Sequence, residues 1–414
     1  MLTIITALLV FSVIVLVHEY GHYKVARIVG IKVEEFAIGM GPVLYKKQKN
    51  GIIYSIRAIP IGGFCKMEGE EEDVKSKTSF SNKTVLQRFS VIAAGPIMNF
   101  VLALVLFIAI ALSFGVPGTR IDFIDESSNE YAAGMRTNDK IISVNNKKAY
   151  IWEDIYFQII NDNRDSYSVV IERDGKQKEF NIKNNYRKLV GITTNLVDGK
   201  STTNISPTDM NSPAYKAGIQ DGDKVIKING KSVDTWEEII SEINKGEDSV
   251  VKITVDRNGE IHDYEITPKT EISVRYNTQV EKSLITAVAS SPYKTVYYIR
   301  LMFDSIVQLV TGKLSGDAVG GPLMVISMVG EAAKSGLLSV LNLAAFISIN
   351  LGFMNLLPIP ALDGSKLIFL IIEGIRGKAI PVEKESLVHF IGFVLLITLM
   401  IFITYRDILR VFRI

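Results

Sequence analysis

Four long apolar stretches constrain this chain more than any other feature of its sequence. Leu2 to Val17 lacks the basic start and the cleavage site of a signal peptide, and we predict that it is the first half of a membrane helix. Val91 to Val116, Leu337 to Leu357 and Leu387 to Thr404 are each near the roughly 20 residues that cross about 30 Å of hydrocarbon. With 48% apolar residues, the sequence predicts a polytopic α-helical membrane protein with about four transmembrane helices.

Charge and cysteine content exclude several classes of protein. The net charge is only +2 and the chain has no basic block, which argues against a nucleic-acid-binding protein. Cys65 is the single cysteine, so neither an intrachain disulfide nor a multi-thiolate metal site is available. A metal ion would therefore need histidine and carboxylate ligands.

Two of the four histidines lie within five residues, at the end of the first apolar stretch. His18 and His22 are four positions apart, so on a helix their rings share one face, and Glu19 sits one position round. This His-Glu-x-x-His spacing suits two ligands to one zinc ion, with the glutamate free to accept a proton. The alternative is a pair of interfacial histidines whose rings simply reach toward water. The depth of His18, about 24 Å along the helix from Leu2, favours the functional interpretation.

Catalytic zinc requires three protein ligands and one open position, so a third ligand is expected elsewhere. The first and third spans run in the same direction, which places their inner ends at the same face of the membrane. Asp363, in the segment Asn355 to Gly364, is the carboxylate available there. A helix-ending Asp-Gly turn explains this residue equally well from geometry alone.

The polar region from Pro117 to about Thr286 contains an internal repeat. A shift of 84 residues aligns Ala133-Gly134 with Ala217-Gly218 and Trp152-Glu153 with Trp236-Glu237. The two copies resemble PDZ domains of the kind found with bacterial proteases. PDZ domains bind extended peptides by strand addition, and the alternative is that the pair acts as a steric screen.

The motifs taken together resemble the site-2 protease family of intramembrane zinc metalloproteases, in particular its bacterial regulator-of-sigma-E type. "HEYGH" in the first span and "NLLPIPALDG" in the third carry the resemblance, and "FAIGMGP", "IPIGGFCKMEGE" and "GPIMNF" extend it along the chain. The resemblance implies that His18, His22 and Asp363 bind zinc and that Glu19 is the general base.

Two further expectations concern how a substrate is held. Val33 to Tyr45 and Ile52 to Cys65 flank the turn Lys49-Asn50-Gly51, and the family resemblance implies that this hairpin is a membrane re-entrant β-loop. The alternative is a simple cytoplasmic hairpin. Asn355 is a candidate substrate-binding residue because it is polar and near Asp363, and an amide that only packs helices is the alternative.

The predicted domain order follows from these segments. Residues 1–116 form a first membrane unit, 117–195 and 196–286 two inserted α+β PDZ-like domains, 287–336 linking helices, and 337–414 a second membrane unit. The short loops after the first and third spans are rich in lysine and arginine, which predicts that they face the cytoplasm and that the PDZ-like pair lies outside.

The sequence therefore predicts a multi-pass inner-membrane zinc endopeptidase that cleaves single-span proteins within their membrane segments. The resemblance suggests anti-sigma factors or remnant signal peptides as substrates. A noncatalytic membrane scaffold built on the PDZ-like pair is the alternative, and it would keep its interactions when Glu19 is changed to Gln.

Overall fold

The structure is a computed structural model, and it describes most of the chain: residues 2–70, 76–161, 164–197, 200–208, 212–245, 249–312, 320–378 and 380–412. Two compact units are present. The first combines both ends of the chain, Met1–Val116 and Val280–Ile414, and the second is the intervening segment Pro117–Gln279.

The described residues form helices in both units: α1 Leu2–Ile28, α2 Val85–Phe114, α3 Asn129–Ala133, α4 Trp152–Ile160, α5 Pro213–Ala217, α6 Trp236–Asn244, α7 Leu284–Val310, α8 Pro322–Ser335, α9 Leu337–Leu356, α10 Asp363–Arg376 and α11 Val382–Phe412. The strands are β1 Val33–Lys49, β2 Ile52–Met67, β3 Val116–Ile124, β4 Lys140–Val144, β5 Lys147–Lys148, β6 Ser166–Arg173, β7 Lys176–Lys183, β8 Asn185–Leu189, β9 Ile192–Val197, β10 Lys200–Pro207, β11 Asp223–Ile228, β12 Lys231–Ser232, β13 Val251–Arg257, β14 Glu260–Ile266, β15 Lys269–Ser273 and β16 Tyr276–Glu281.

Within the described residues, four helices have the length and composition to cross a membrane, as predicted. They lie within α1, α2, α9 and α11, at Thr3–Ile28, Val85–Phe114, Leu337–Leu356 and Glu383–Leu409. Each reaches the length that spans the hydrocarbon core of a bilayer. The prediction of about four membrane helices is confirmed.

Small residues allow the helices of the first unit to approach closely. A Cβ built on Gly21 of α1 would lie 2.4 Å from Ala94 O of α2, and one built on Gly352 of α9 would lie 2.9 Å from Pro96 O. Membrane helices associate through close packing of this kind, because lipid provides no hydrophobic driving force for their association. Helices α1 and α9 therefore both pack against α2, which is the central helix for the site described below.

Helix α10 was not predicted from the sequence. The sequence analysis predicted a loop after the third span. Asp363 is the first residue of this helix, so the alternative that Asp363 belongs to a helix-ending turn is wrong. Leu367 and Leu370 of α10 are buried against α2, and Arg88 of α2 forms an ion pair with Glu373. These contacts fix α10, and with it Asp363, on the central helix.

The predicted hairpin is present, but its pairing is more complex than two simple strands. Asn50 and Gly51 both have positive φ, 51° and 79°, as a two-residue type I′ turn requires. Residues 35–38 of β1 have partners on both sides, because they lie opposite 53–56 and also opposite 63–66 of β2. Each long strand bends near its middle, where Gly39 and Gly62 have positive φ. The first part of β1 is therefore an inner strand, and residues 63–67 lie beside it.

The second unit shows the repeat found in the sequence. Arg173 binds Asp139 through two hydrogen bonds, and Arg257 binds Asp223 in the same way, 84 positions further on. Each copy has its own core of buried hydrophobic side chains. The internal repeat is thus confirmed by matching contacts.

The boundary predicted between the two copies requires a correction. The strand order of one sheet is β16-β3-β4-β6-β7, whereas the other is β14-β13-β11-β10-β9. Strand β16 lies inside the predicted range 196–286 but pairs with β3 of the first copy. The sequence analysis assigned β16 to the second copy because the order of residues does not show which strands pair. The second copy is inserted into the first.

Candidate metal centre

The structure brings His18, His22 and Asp363 together. Both histidines lie on α1, one helical turn apart, and both are buried. Asp363 Oδ2 lies 3.2 Å from His18 Nε2 and 3.5 Å from His22 Nε2, and the two Nε2 atoms are 3.2 Å apart. Asp363 Oδ2 is buried and has no hydrogen-bond partner among the described residues.

These separations match the geometry of a tetrahedral metal ion. Zinc binds histidine nitrogen at about 2.0–2.1 Å, so two ligand atoms at tetrahedral angles are separated by about 3.3 Å. The three observed distances between ligand atoms are close to this value. Lone pairs that converge in a buried site repel one another unless a cation or a proton lies between them. The donor set of two imidazoles and a carboxylate therefore fits zinc.

Hydrogen bonds from α2 orient both rings. His22 Nδ1 lies 2.9 Å from Val91 O, which can only accept, so the proton is on Nδ1 and Nε2 is left free. His18 Nδ1 lies 3.3 Å from the side-chain amide of Asn99, which is fully buried. Asn99 Oδ1 has no partner among the described residues. Rotating this amide by 180° gives His18 Nδ1–H an acceptor, the same arrangement as at His22.

Gly95 of α2 leaves the space that the imidazole rings occupy. A Cβ built on this residue would lie 2.2 Å from His22 Nε2 and 2.8 Å from His18 Cε1. Real Cβ atoms essentially never approach other heavy atoms so closely. Only glycine therefore allows α2 to pass directly beside the two rings.

The three side chains open into a cavity of about 560 Å³ that Glu19 also lines. Phe64, Cys65, Lys66 and Met67, near the end of β2, form another wall of this cavity. The strand segment that contains them pairs with β1 on one side. A carboxylate, three convergent ligand atoms and a strand edge thus face the same space.

Asn355 does not share this arrangement. It lies half-buried in the last turn of α9 and is not among the residues that line the cavity. Its role in substrate binding stays a prediction.

The supporting residues on α2 were missed by the sequence reasoning. "GPIMNF" was recognised only as part of the family resemblance, although it contains both Gly95 and Asn99. The asparagine inside an apolar span was a usable signal, since buried polar groups in membrane helices are usually functional. Its partner was not identifiable, because His18 is 81 positions away.

The fold and the site define a membrane metalloendopeptidase. One helix carries His-Glu-x-x-His, another brings a carboxylate to it, and the described residues include four helices of membrane length. The chain belongs to peptidase family M50, whose family model matches residues 6–399.

Curated relatives extend over the whole chain. A regulator of sigma E protease from Haemophilus influenzae is 32% identical over 438 residues and covers 97% of this chain and 98% of its own. The zinc metalloprotease RasP of Geobacillus kaustophilus is 30% identical over 431 residues, with coverage of 99% and 98%. Among solved structures, the HtrA3 PDZ domain bound to a phage-derived ligand covers 22% of this chain and 91% of its own, at 24% identity and a TM-score of 0.18.

Proposed function

We propose that this metalloendopeptidase is an intramembrane zinc protease that hydrolyses peptide bonds within the membrane segments of single-span proteins. The convergence of His18, His22 and Asp363 in a membrane-length helix bundle carries the proposal. The names of the full-length relatives support zinc as the metal. These three residues are assigned as its ligands, and the open side of the site is the cavity lined by Glu19.

Glu19 is assigned as the general base. When bound, zinc supplies Lewis acidity that polarises a carbonyl group and makes water more acidic. Glu19 then accepts the proton of the attacking water and passes it to the leaving amine. Its place one residue after His18 keeps its carboxylate beside the ligands without making it one of them.

The edge of β2 is assigned as the element that holds the substrate extended. A peptide bond inside an intact helix is shielded by side chains and by its own hydrogen bonds, so the substrate has to unwind locally. Residues 63–67 pair with β1 on one side and line the cavity with Phe64 to Met67. An unwound segment that pairs with this edge has its backbone hydrogen bonds satisfied and lies next to Glu19.

Two observations support a membrane location for the hairpin. Ser12, in the middle of the first spanning helix, donates a hydrogen bond to Pro60 O at 2.7 Å. Large apolar side chains are exposed around the bend, among them Leu44 at 70% and Tyr45 at 58%. Exposure of this kind is unfavourable in water and favourable in lipid, and it is what a re-entrant β-loop requires.

The remaining assignments follow from the family and from charge. We assign the second unit as two PDZ-like domains, the second inserted in the first, and place it outside the cytoplasm. They would exclude large ectodomains or bind a freshly cut end. The active site then faces the cytoplasmic side, and Asn355 contacts the substrate once it is unwound. Anti-sigma factors and remnant signal peptides are the proposed substrates.

Cleavage of defined membrane peptides tests the proposal. The purified protein in lipid is incubated with single-span peptides, and the products are sized by mass spectrometry. We expect cuts inside the apolar segment, with a Glu19→Gln variant slower by about 10²–10⁴-fold, the range of general acid–base catalysis. Glu19→Gln should retain zinc, whereas Asp363→Ala should lose it.

Two results would contradict the proposal. One is cleavage by Asp363→Ala at the wild-type rate with its zinc content unchanged. The other is cleavage confined to soluble segments of the peptides, because a site at this depth should act on the membrane segment.

A further inference from the structure

The turn that leads into Asp363 has an unusual backbone conformation. Ala361 has φ of +76°. Every other non-glycine residue with positive φ in the described part of the chain is asparagine or aspartate. Those side chains tolerate the left-handed region because they form local hydrogen bonds, which alanine cannot do. Something outside the turn therefore has to hold Ala361 in place.

Helix α11 supplies that contact. His389 Nδ1 lies 3.1 Å from Ala361 N and accepts its hydrogen bond. Nearby on the same helix, a Cβ built on Gly392 would lie 2.2 Å from Pro360 Cβ, so the backbone of α11 is pressed against the turn. The last spanning helix thus contacts two consecutive residues that lie just before Asp363.

Within the described part of the chain, the His389 side chain makes one hydrogen bond, which it accepts from Ala361 N. Its Nε2 is buried and has no hydrogen-bond partner within the described residues. The nearest carboxylate oxygen, Glu385 Oε1, is 3.7 Å away. The ring is held edge-on against Phe369, with 5.8 Å between the ring centroids. A backbone amide only donates, so Nδ1 carries no proton where it meets Ala361.

We infer that His389 is a positioning residue for the metal centre. By accepting from Ala361 N, it stabilises the left-handed turn and so directs Asp363 toward His18 and His22. The inference rests on the proposed role of Asp363 as a zinc ligand. It also links the last spanning helix to the metal centre, because a shift of α11 removes the contact that aims the carboxylate.

A matched pair of substitutions tests the position of the acceptor. Asparagine places its oxygen where His389 Nδ1 lies, whereas glutamine places the same amide one methylene further out. We expect His389→Asn to retain zinc against a competing chelator as the wild type does. His389→Gln and His389→Leu should release zinc more readily, by about 10–100-fold, the range for partners that orient a ligand. Turnover of a membrane peptide should follow the same order.

A second substitution tests the route through the backbone. Glycine adopts positive φ without steric cost, so Ala361→Gly added to His389→Leu should restore part of the zinc retention. A role of His389 in general packing predicts no such rescue. Thermal unfolding in excess chelator shows whether each variant is folded. If His389→Leu does not fold, the comparison of His389→Asn with His389→Gln still tests the inference.

The outcomes separate this inference from the proposed function. Asp363→Ala serves as the reference, and full zinc retention by that variant would refute the metal centre itself. Zinc loss in Asp363→Ala, together with identical behaviour of the Asn and Gln variants of His389, would refute only the role of His389. Failure of Ala361→Gly to rescue would likewise refute the inference and leave the metal centre intact.

Discussion

Replacing Gly95 by alanine should weaken zinc binding strongly without unfolding the protein. The added Cβ would lie 2.2 Å from His22 Nε2, whereas carbon and nitrogen atoms without a bond between them keep about 3.4 Å or more. The imidazole would have to move by about 1 Å, and ligand distances in a metal site tolerate about 0.2 Å. We therefore expect zinc affinity to fall by about 100-fold or more, at or beyond the upper end of the effect of losing a group that orients a ligand.

The same substitution should not harm the helix itself. Alanine is more favourable than glycine inside a helix by about 1 kcal/mol, and the rings of His18 and His22 can rotate away when no metal holds them. Gly374→Ala is the matched control, because its Cβ would lie 3.6 Å from Val85 Cγ1, an ordinary contact. Both variants should unfold in excess chelator at temperatures close to the wild type.

Zinc affinity is measured by competition with a chromophoric chelator on the purified protein, and unfolding is followed by circular dichroism. Gly95→Ala should lose affinity while Gly374→Ala keeps it. Equal affinities of the two variants would show that the rings do not lie against α2 as described, and the geometric reasoning would then be wrong.

Three further predictions concern other parts of the molecule. Asn99→Ala should weaken zinc binding by about 10–100-fold because His18 loses the partner that orients it, and Asn99→Asp should retain binding because a carboxylate also accepts from Nδ1–H; chelator competition checks both. Burial acts to raise the pKa of Asp223, but the Arg257 guanidinium outweighs it and holds the pKa below its usual range. A depressed folded-state pKa gives stability above the ordinary value of about 4 that is lost as pH falls through the folded value. Arg257→Met should therefore lower the unfolding free energy of this part of the chain by about 1–3 kcal/mol at neutral pH, and by less in acid, as measured by denaturant titration at several pH values. Leu44→Cys in lipid vesicles should resist a water-soluble maleimide if the hairpin is the re-entrant loop that we propose, and mass spectrometry measures the labelled fraction.

Each of these predictions has a control. For the labelling, Ile261→Cys on the second unit is 61% exposed and should react readily, and the native Cys65 is buried. Rapid labelling of Leu44→Cys would place the bend in water. For Asn99, a loss in the aspartate variant equal to that in alanine would exclude the acceptor role. For Asp223, an effect of Arg257→Met that does not change with pH would exclude the ion pair as its cause.

Features encoded in local patterns were predictable from the sequence. Spanning length identified the four membrane helices, and the spacing of His18, Glu19 and His22 identified one half of the site. The turn at Asn50 and Gly51 and the repeat offset were also recognised. In each case, the residues that determine the structure lie within a few positions of one another or recur at a constant interval.

Features that depend on distant pairing were not predictable. Residues 35–38 have partners on both sides because β2 bends back on them, and no spacing in the sequence records this. Strand β16 follows the strands of the second copy along the chain, but it pairs with β3 of the first copy. The sequence analysis assigned the α10 segment to a basic loop because it contains Lys366 and Arg376. Lys366 instead forms an ion pair with Glu70, a contact between distant parts of the chain.

The nested arrangement of the second unit explains how one site is built from two ends of a long chain. The segment that enters this unit, β3, and the segment that leaves it, β16, are neighbours in one sheet. An insertion whose ends are adjacent imposes little cost on the structure that receives it. Helix α7, which follows β16, can therefore pack on α2, as the stacking of Tyr298 on Phe107 shows. The first unit thus assembles as if it were continuous, and α10 delivers Asp363 to the histidines of α1.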